Sequence, residues 1–297
     1  MKGDLIMERK VYTNWSEKSK GEIVMKVRKA FTHAGIFHAD DVFASALLKI
    51  LYPEIEIIRG FQVPNEDIDV VFDIGGGVFD HHQPNAPTRT DGTPFAAFGL
   101  LWRNFGHMFV SEKNVKKFDE EFIKPLDKHD NTGCGHPIAR VISSFNPNWD
   151  EKISTNDVFA KAVEFAKTIL EREFIHMNSV EKAENIVKEA LSKNEDGIVI
   201  LDQFVPWQET LIPCQEAKFV VYPALAGGWN AQQIPTTFGR TDAKVPFPSR
   251  WRGTSEAFKQ ETGGTFCHPN GFLCAFGTKD SAISACRIAL EESKKTS

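Results

Sequence analysis

Cysteine is scarce and unpatterned in this chain of 297 residues. The five thiols, Cys134, Cys214, Cys267, Cys274 and Cys286, are odd in number and form no C-x-x-C pair. That excludes a disulfide framework and a zinc ribbon, and the simplest expectation is reduced thiols in a cytoplasmic setting. Long apolar runs are missing too. No stretch approaches the roughly 18–20 residues needed to cross a bilayer, so no membrane span is expected. The opening stretch, Met1 to Lys26, carries acidic residues and lacks an apolar core, which argues against a secretory signal. It reads as a loosely attached arm or a start-site extension. An excess of basic charge is also lacking, since 35 Lys and Arg against 40 Asp and Glu leave a formal net charge of −5. Proteins that track long duplexes usually show a basic face, because neutralising phosphates drives binding. A large duplex footprint is therefore disfavoured, while a short oligonucleotide or small phosphate ester stays open. The chain shows no internal repeat and no low-complexity segment.

What is present is ordinary globular material. Hydrophobic residues make up 41% and charged residues 25%, and 24 phenylalanines supply core volume without help from disulfides or a structural metal. The length favours two domains over one. From the basic stretch onward, Ala30–His33 leads into a helix starting near Asp40 or Asp41. Val42, Phe43, Ala46, Leu47, Ile50 and Leu51 recur there at helical spacing, and Tyr52-Pro53 ends it. Strands at Ile55–Arg59 and Asp69–Asp73 follow. This strand-helix-strand rhythm predicts a parallel sheet and an α/β fold. Phe95–Phe105 reads as a small-residue helix, and Phe118–Leu126 leads into Asp127–Asn131. A long amphipathic helix is expected from Asn156 to about Ser192, open to a break near His176–Ser179. Strands at Gly197–Asp202 and Lys218–Pro223, a turn at Gly227–Gly228 and a last helix at Asp280–Glu292 complete the reading.

The chemistry concentrates in Val70–Gln83, VVFDIGGGVFDHHQ. A buried strand ending in glycines places Asp73, His81 and His82 beyond the carboxyl end of a sheet, where α/β proteins build sites. Four segments offer ligands: His33, His38 and Asp40; Asp73; His81 and His82; and Asp127 with Asp130. Carboxylates and imidazoles without thiolate suit Mn²⁺ or Mg²⁺, with Zn²⁺ and Fe²⁺ left open. Two such ions can clamp a phosphoryl oxygen and generate hydroxide for in-line attack. Each feature also has a plainer reading. Asp40 or Asp41 can be a helix cap, the three glycines a tight turn, and Asp127 and Asp130 a solvated helix face. His129, between them, reads as structural, as do His107, His136 and His176.

The order HAGIFHADD, VVFD, DHHQ resembles the DHH phosphoesterase superfamily, which holds RecJ-type exonucleases, nanoRNases and family II inorganic pyrophosphatases. Within it the longer pattern HAGIFHADDVFASALL, DIGGGVFDHHQ, PFAAFGLLWRNFG, DKHDN, SFNPNW, GGWN, WRG and HPNGF is similar to the Myg family. The resemblance implies a binuclear site for two divalent metal ions, Mn²⁺ or alternatively Mg²⁺, on an α/β catalytic domain joined to a smaller C-terminal substrate domain. The corresponding division is an arm at 1–28, a catalytic domain at 29–155, a helical connector at 156–195 and a substrate domain at 196–297. By the same resemblance His33, His38 and Asp73 hold one ion, and Asp40, Asp73, His81 and one of Asp127 or Asp130 hold the other. His82 faces the scissile phosphate as donor or acid, and Asp80 orients the histidine pair. Arg89, Arg252 and His268 are substrate contacts. His38 stands where other branches place an aspartate. Where relatives carry glycine-glycine-histidine after HxxGF, this chain has Cys274-Ala275-Phe276.

These readings converge on a metal-dependent phosphodiesterase trimming short RNA or oligonucleotides from the 3′ end, with a homo-oligomer left open. One rival is a phosphoanhydride or small-nucleotide phosphatase. It predicts a compact pocket with several Arg and Lys, whereas an oligonucleotide groove predicts stacking surfaces such as Trp102, Trp229 or Trp251. The other rival is a catalytically silent metal-binding regulator.

Overall fold

A computed structural model describes residues 27–296 apart from Thr241. The N-terminal arm expected at 1–28 therefore lies almost entirely outside the described residues. The chain divides into two compact units, at Ile175 and His176. It is α/β throughout, and no helix among the described residues is long and apolar enough to cross a membrane.

The first unit is built on a three-stranded parallel sheet, β1 (Lys29–His33), β2 (Glu56–Gly60) and β3 (Val70–Val71), in the order β2-β1-β3. The strand expected at Asp69–Asp73 is thus short. Asp73 leaves it with φ of 59°, so the ladder stops there and Phe72 makes only an isolated bridge to Phe79. Helix α1 (Ala39–Leu51) buries Val42, Phe43, Ala46 and Leu47, the stripe its sequence periodicity predicts. It packs against α2 (Ala97–Phe105), α4 (Lys124–Thr132) and α5 (Pro137–Ser143).

Between α3 (Glu112–Phe118) and α4, residues Asp119–Ile123 form a π-helical turn. Its wider winding has a consequence. Asp119 and Asp127, eight residues apart, would sit about 80° apart on a regular α-helix, yet both carboxylates reach Arg89. Helix α2 makes room for one of them. A methyl group at Gly99 would fall on Asp127 Oδ2. Gly99→Ala is therefore expected to destabilise the protein by about 1–3 kcal/mol, although alanine is the better helix former by about 1 kcal/mol. Urea denaturation measures this, and a neutral or stabilising result would contradict the packing argument.

Helix α6 (Thr155–Ser192) runs unbroken through His176–Ser179 and across the division between the units. The second unit holds a five-stranded sheet of β4 (Ile198–Ile200), β5 (Phe219–Pro223), β6 (Trp229–Gln233), β7 (Phe266–Cys267) and β8 (Leu273–Phe276). Its order is β4-β5-β6-β8-β7. Only β4 and β5 pair in parallel. Alternation along β5 feeds two cores. Phe219 and Val221 join Trp251, Phe258 and the apolar stripe of α7 (Lys279–Thr296), while Val220 and Tyr222 join Trp207, Leu211 and the last part of α6.

Strands β6 to β8 escape the sequence reading because they lack β-branched runs. Polar WNAQQ forms β6, where Tyr222 Oη donates to Gln232 Oε1 at 2.9 Å across the ladder. Cys274 and Phe276, at the altered step, are buried on β8. Trp102 and Trp251 are core residues and Trp229 is half-buried, so the first two are not stacking surfaces.

Candidate metal centre

The carboxyl ends of β1 and β3, the start of α1, the Asp80–His82 loop and the last turns of α4 converge on one cluster. His33 ends β1. Its Nδ1 lies 3.1 Å from the Ala34 carbonyl, which only an N–H can satisfy. In the neutral ring Nε2 is therefore a lone pair, and it faces Asp41 Oδ2 at 3.1 Å and Asp73 Oδ2 at 3.2 Å. Arg59 holds this loop by donating to the carbonyls of His33 and Gly35 at 3.1 and 3.0 Å. On the next turn of chain, Asn146 clamps Phe37, accepting from its N–H at 3.1 Å and donating to its carbonyl at 2.8 Å. His38 follows as the residue before α1, its N–H donating to Asp41 Oδ1 at 2.9 Å.

Asp73 joins the two halves of the cluster. Its Oδ2 faces His33, and its Oδ1 lies 3.0 Å from His81 Nε2. The left-handed backbone at Asp73 is strain of the kind that functional sites retain. The Asp73 N–H donates to the Phe79 carbonyl at 3.0 Å and closes the glycine loop. His81 Nε2 also lies 3.3 Å from Asp130 Oδ2 and 3.7 Å from Asp40 Oδ2. Its other nitrogen is set by Asn131. The Asn131 amide donates to the carbonyls of Phe95 and Asp127 at 3.2 and 2.9 Å. That leaves Oδ1 to accept from His81 Nδ1 at 3.3 Å, so the Nε2 lone pair points at carboxylates. His82 is mostly exposed, with Nδ1 3.0 Å from Asp80 Oδ1. Asp80 also accepts from the N–H groups of Gly76 and His82 at 2.7 and 2.9 Å.

Among the described residues, metal-capable atoms lie within 4.8 Å of one another in three groups: His33, Asp41 and Asp73; His38, Asp40 and Asp130; Asp73, His81 and His82. The donor set fits divalent cations. Asp40 is buried, and neither of its oxygens has a hydrogen-bond partner among the described residues. Burial and the neighbouring Asp73, Asp130 and Asp41 push its carboxyl well above the usual range. Lone pairs and anions thus face one another around a hole of negative charge.

The same proximity holds protons when metal is absent. The Asp41 and Asp73 carboxylates push His33 up to about 10, from 6.5. Burial pulls Asp73 upward, but hydrogen bonds from His33 and His81 outweigh it and hold the carboxyl at about 2, from 3.8. The His33 contribution to stability is complete below pH 6.5 and lost as pH rises through about 10. The Asp73 contribution is complete above pH 3.8 and lost as pH falls through about 2. A cation ligated by His33 would have to displace the ring proton, so if His33 is a ligand Mn²⁺ affinity is expected to rise steadily between pH 6 and 9. Calorimetric titration across that range checks it, and a flat profile would remove His33 from the ligand set.

Two residues expected at the site stand apart from this cluster. Asp127 is fully buried, and its Oδ2 accepts from Arg89 at 2.7 Å while Oδ1 accepts from the Gly99 N–H at 3.3 Å. Arg89 is spent on that pair, since its guanidinium also grips Asp119 at 2.8 and 2.6 Å and stacks 4.0 Å above the Phe95 ring. Of the two aspartates, Asp130 is the one facing the cluster. In the second unit, Arg252 packs on Gly271 in the turn that begins at His268, where the Gly271 N–H donates to the His268 carbonyl at 2.7 Å. Asp41, Asn131, Arg59 and Asn146 are the contributors that residue spacing missed. Asp41 reads as a cap from sequence, and the asparagines sit unremarked inside the DKHDN and SFNPNW patterns.

The chain is similar to known proteins along most of its length. The chain is 28% identical to the MYG1 exonuclease of Bos taurus over 88% of this chain and 84% of that one. It is 26% identical to the human MYG1 exonuclease over 88% and 85%. Against a MYG1 protein of Chlamydia pneumoniae it is 30% identical over 89% and 97%. No solved structure matches. Residues 29–290 match the family model MYG1_exonuc, described as Uncharacterised protein family (UPF0160), and the chain belongs to that family.

Proposed function

We propose that this protein is a metal-dependent hydrolase of phosphate esters, acting as a 3′–5′ exonuclease on short RNA or oligonucleotides with a pair of Mn²⁺ ions. The carrying observation is Asp73, whose two oxygens face His33 on one side and His81 on the other. A carboxylate so placed could serve an ion on either side. His33 and Asp41 would complete one side, and His81, Asp40, Asp130 and His38 the other. When bound, the ions would supply Lewis acidity toward the phosphoryl oxygens and an activated nucleophile. The chain's own part is orientation and proton transfer. Asn131 fixes the His81 ring and Ala34 that of His33. Asp80 orients the His82 ring at 3.0 Å, and His82 would be the residue that passes a proton to the leaving oxygen.

Two features favour an oligonucleotide over an anhydride. Cavities of 420 and 340 Å³ adjoin the cluster, and neither is lined by Lys or Arg. Phe61, 78% exposed, directly follows Gly60, the β2 partner of His33, and offers a stacking face for a base. The relatives named as exonucleases support the same class. A silent metal-binding regulator would need the ligands but not the open cavities beside them.

The test is Mn²⁺-dependent cleavage of a 5′-labelled RNA 5-mer, with pyrophosphate alongside and Asp73→Asn as control. A ladder shortening from the 3′ end and absent in the variant supports the reading. Phosphate release from pyrophosphate alone moves the protein to the anhydride class. Metal binding with neither cleavage moves it to the regulator class.

A further inference from the structure

The 420 Å³ cavity beside the cluster is lined by His81, His82 and Asp130 and also by His129. The remaining wall includes small side chains, among them Ala39, Gly133, Ala139 and Ser143, which leave room for a ligand. Of the histidines here, His129 is the one with no part in the metal groups. His81 and His82 each have a carboxylate within 3.0 Å, and His38 shares a group with Asp40 and Asp130. Among the described residues, no carboxylate lies within ion-pairing distance of His129.

Its ring is nevertheless held. The Gly135 N–H donates to His129 Nδ1 at 3.0 Å, and the Gly133 N–H donates to the His129 carbonyl at 2.7 Å, closing α4 with a left-handed glycine. With Nδ1 used as an acceptor, the neutral imidazole must carry its proton on Nε2. A half-buried ring in a cavity beside the candidate metal cluster thus keeps one unspent donor, and among the described residues that donor has no partner.

We propose that His129 is a substrate-contacting residue, its Nε2–H binding a phosphoryl oxygen of the substrate in this cavity. The assignment rests on the phosphate-ester reading of the cluster and adds to it a specific contact. A donor here complements the oxygens of a phosphoryl group without adding a fixed positive charge, and it stays a donor whether or not the ring is protonated. The shared ligand chemistry is a phosphoryl group, whether of a nucleotide or of an inorganic phosphate.

Two substitutions separate this role from a purely structural one. Asparagine places an acceptor near the position of Nδ1, so His129→Asn keeps the Gly135 contact and loses the outer donor. Glutamine reaches the position of Nε2, so His129→Gln keeps a donor there and loses the loop contact. Mn²⁺-loaded protein is titrated calorimetrically with a nucleoside 5′-monophosphate, pyrophosphate and inorganic phosphate, with Mn²⁺ affinity measured in parallel. His129→Asn is expected to weaken phosphate-ligand binding about tenfold or more, while His129→Gln stays within about threefold of the original protein, since a hydrogen bond to a charged group is at stake. Unchanged Mn²⁺ affinity in both variants is part of the expectation. Equal binding by His129→Asn and the original protein overturns the proposal. So does a greater loss in His129→Gln than in His129→Asn, which would leave only the loop contact. If pyrophosphate binds and the nucleotide does not, a loss in His129→Asn upholds the contact while the oligonucleotide reading falls. If no phosphate ligand binds the original protein, the contact falls as well.

Discussion

Asp73→Asn is expected to weaken divalent-metal binding by at least about a hundredfold, because losing even an outer-shell partner of a metal ligand costs 10–100-fold. Hydrolysis should fall with it to background. Asparagine is the informative replacement. Asp73 has φ of 59°, and asparagine tolerates that left-handed region better than other side chains. The backbone therefore keeps its turn, and the experiment reads the charge alone. Without metal, the variant removes the carboxylate that His33 and His81 both face, so both rings should titrate at lower pH than in the unmodified protein. NMR of the histidine ring protons in metal-free protein reads this directly. A variant that binds Mn²⁺ as tightly as the parent, with unshifted histidine titrations, would show that the two halves of the cluster are not joined through Asp73.

Much of this site is legible in sequence because its parts lie close along the chain. Asp73 ends an apolar run, three glycines turn the backbone, and His81 and His82 return after a short loop. The helix beginning at Ala39 announces itself by apolar spacing, and its first turn places Asp40 and Asp41 where the helix dipole favours negative charge. What spacing cannot supply is which side of a helix faces inward. Asp127 and Asp130 are three apart and look equivalent. They separate only through Arg89, which comes from a loop 38 residues earlier, and through a π-helical turn that no local pattern announces. The second sheet was half legible for a related reason. Apolar β5 is apparent, whereas β6 owes its place to pairing on both edges rather than to its own polar composition.

That same inward-facing pair carries the largest expected effect on folding. Arg89 is almost completely buried, with its side chain 7% exposed, and it neutralises an Asp127 side chain that is 0% exposed. Replacing Arg89 with methionine keeps the apolar stem and the contact with Phe95 but strands a carboxylate in the core. Breaking a buried pair from one side costs about 3–5 kcal/mol, a large share of the roughly 5–15 kcal/mol that holds a domain together. The loss should depend on pH. Burial already pushes Asp127 up to about 7 with Arg89 present, and removing the guanidinium raises it further. A carboxyl raised in the folded state binds its proton more tightly there, so stability is lost as pH climbs from about 4 through the folded value. Arg89→Met should therefore be most nearly tolerated near pH 5 and most damaging at pH 8. Adding Asp127→Asn should recover much of the deficit at pH 8, since the amide leaves no charge to strand and its oxygen can still accept from the Gly99 N–H. Urea denaturation of the two single variants and the double variant closes the cycle. If Arg89→Met costs less than about 1 kcal/mol at pH 8, the range of an exposed pair, then Asp127 has found other compensation. The consequence would reach the metal centre too, because the Asp127 carbonyl accepts from the Asn131 amide that orients His81. The orientation of His81 in the candidate site thus depends on an ion pair that stands apart from the clustered histidines and aspartates.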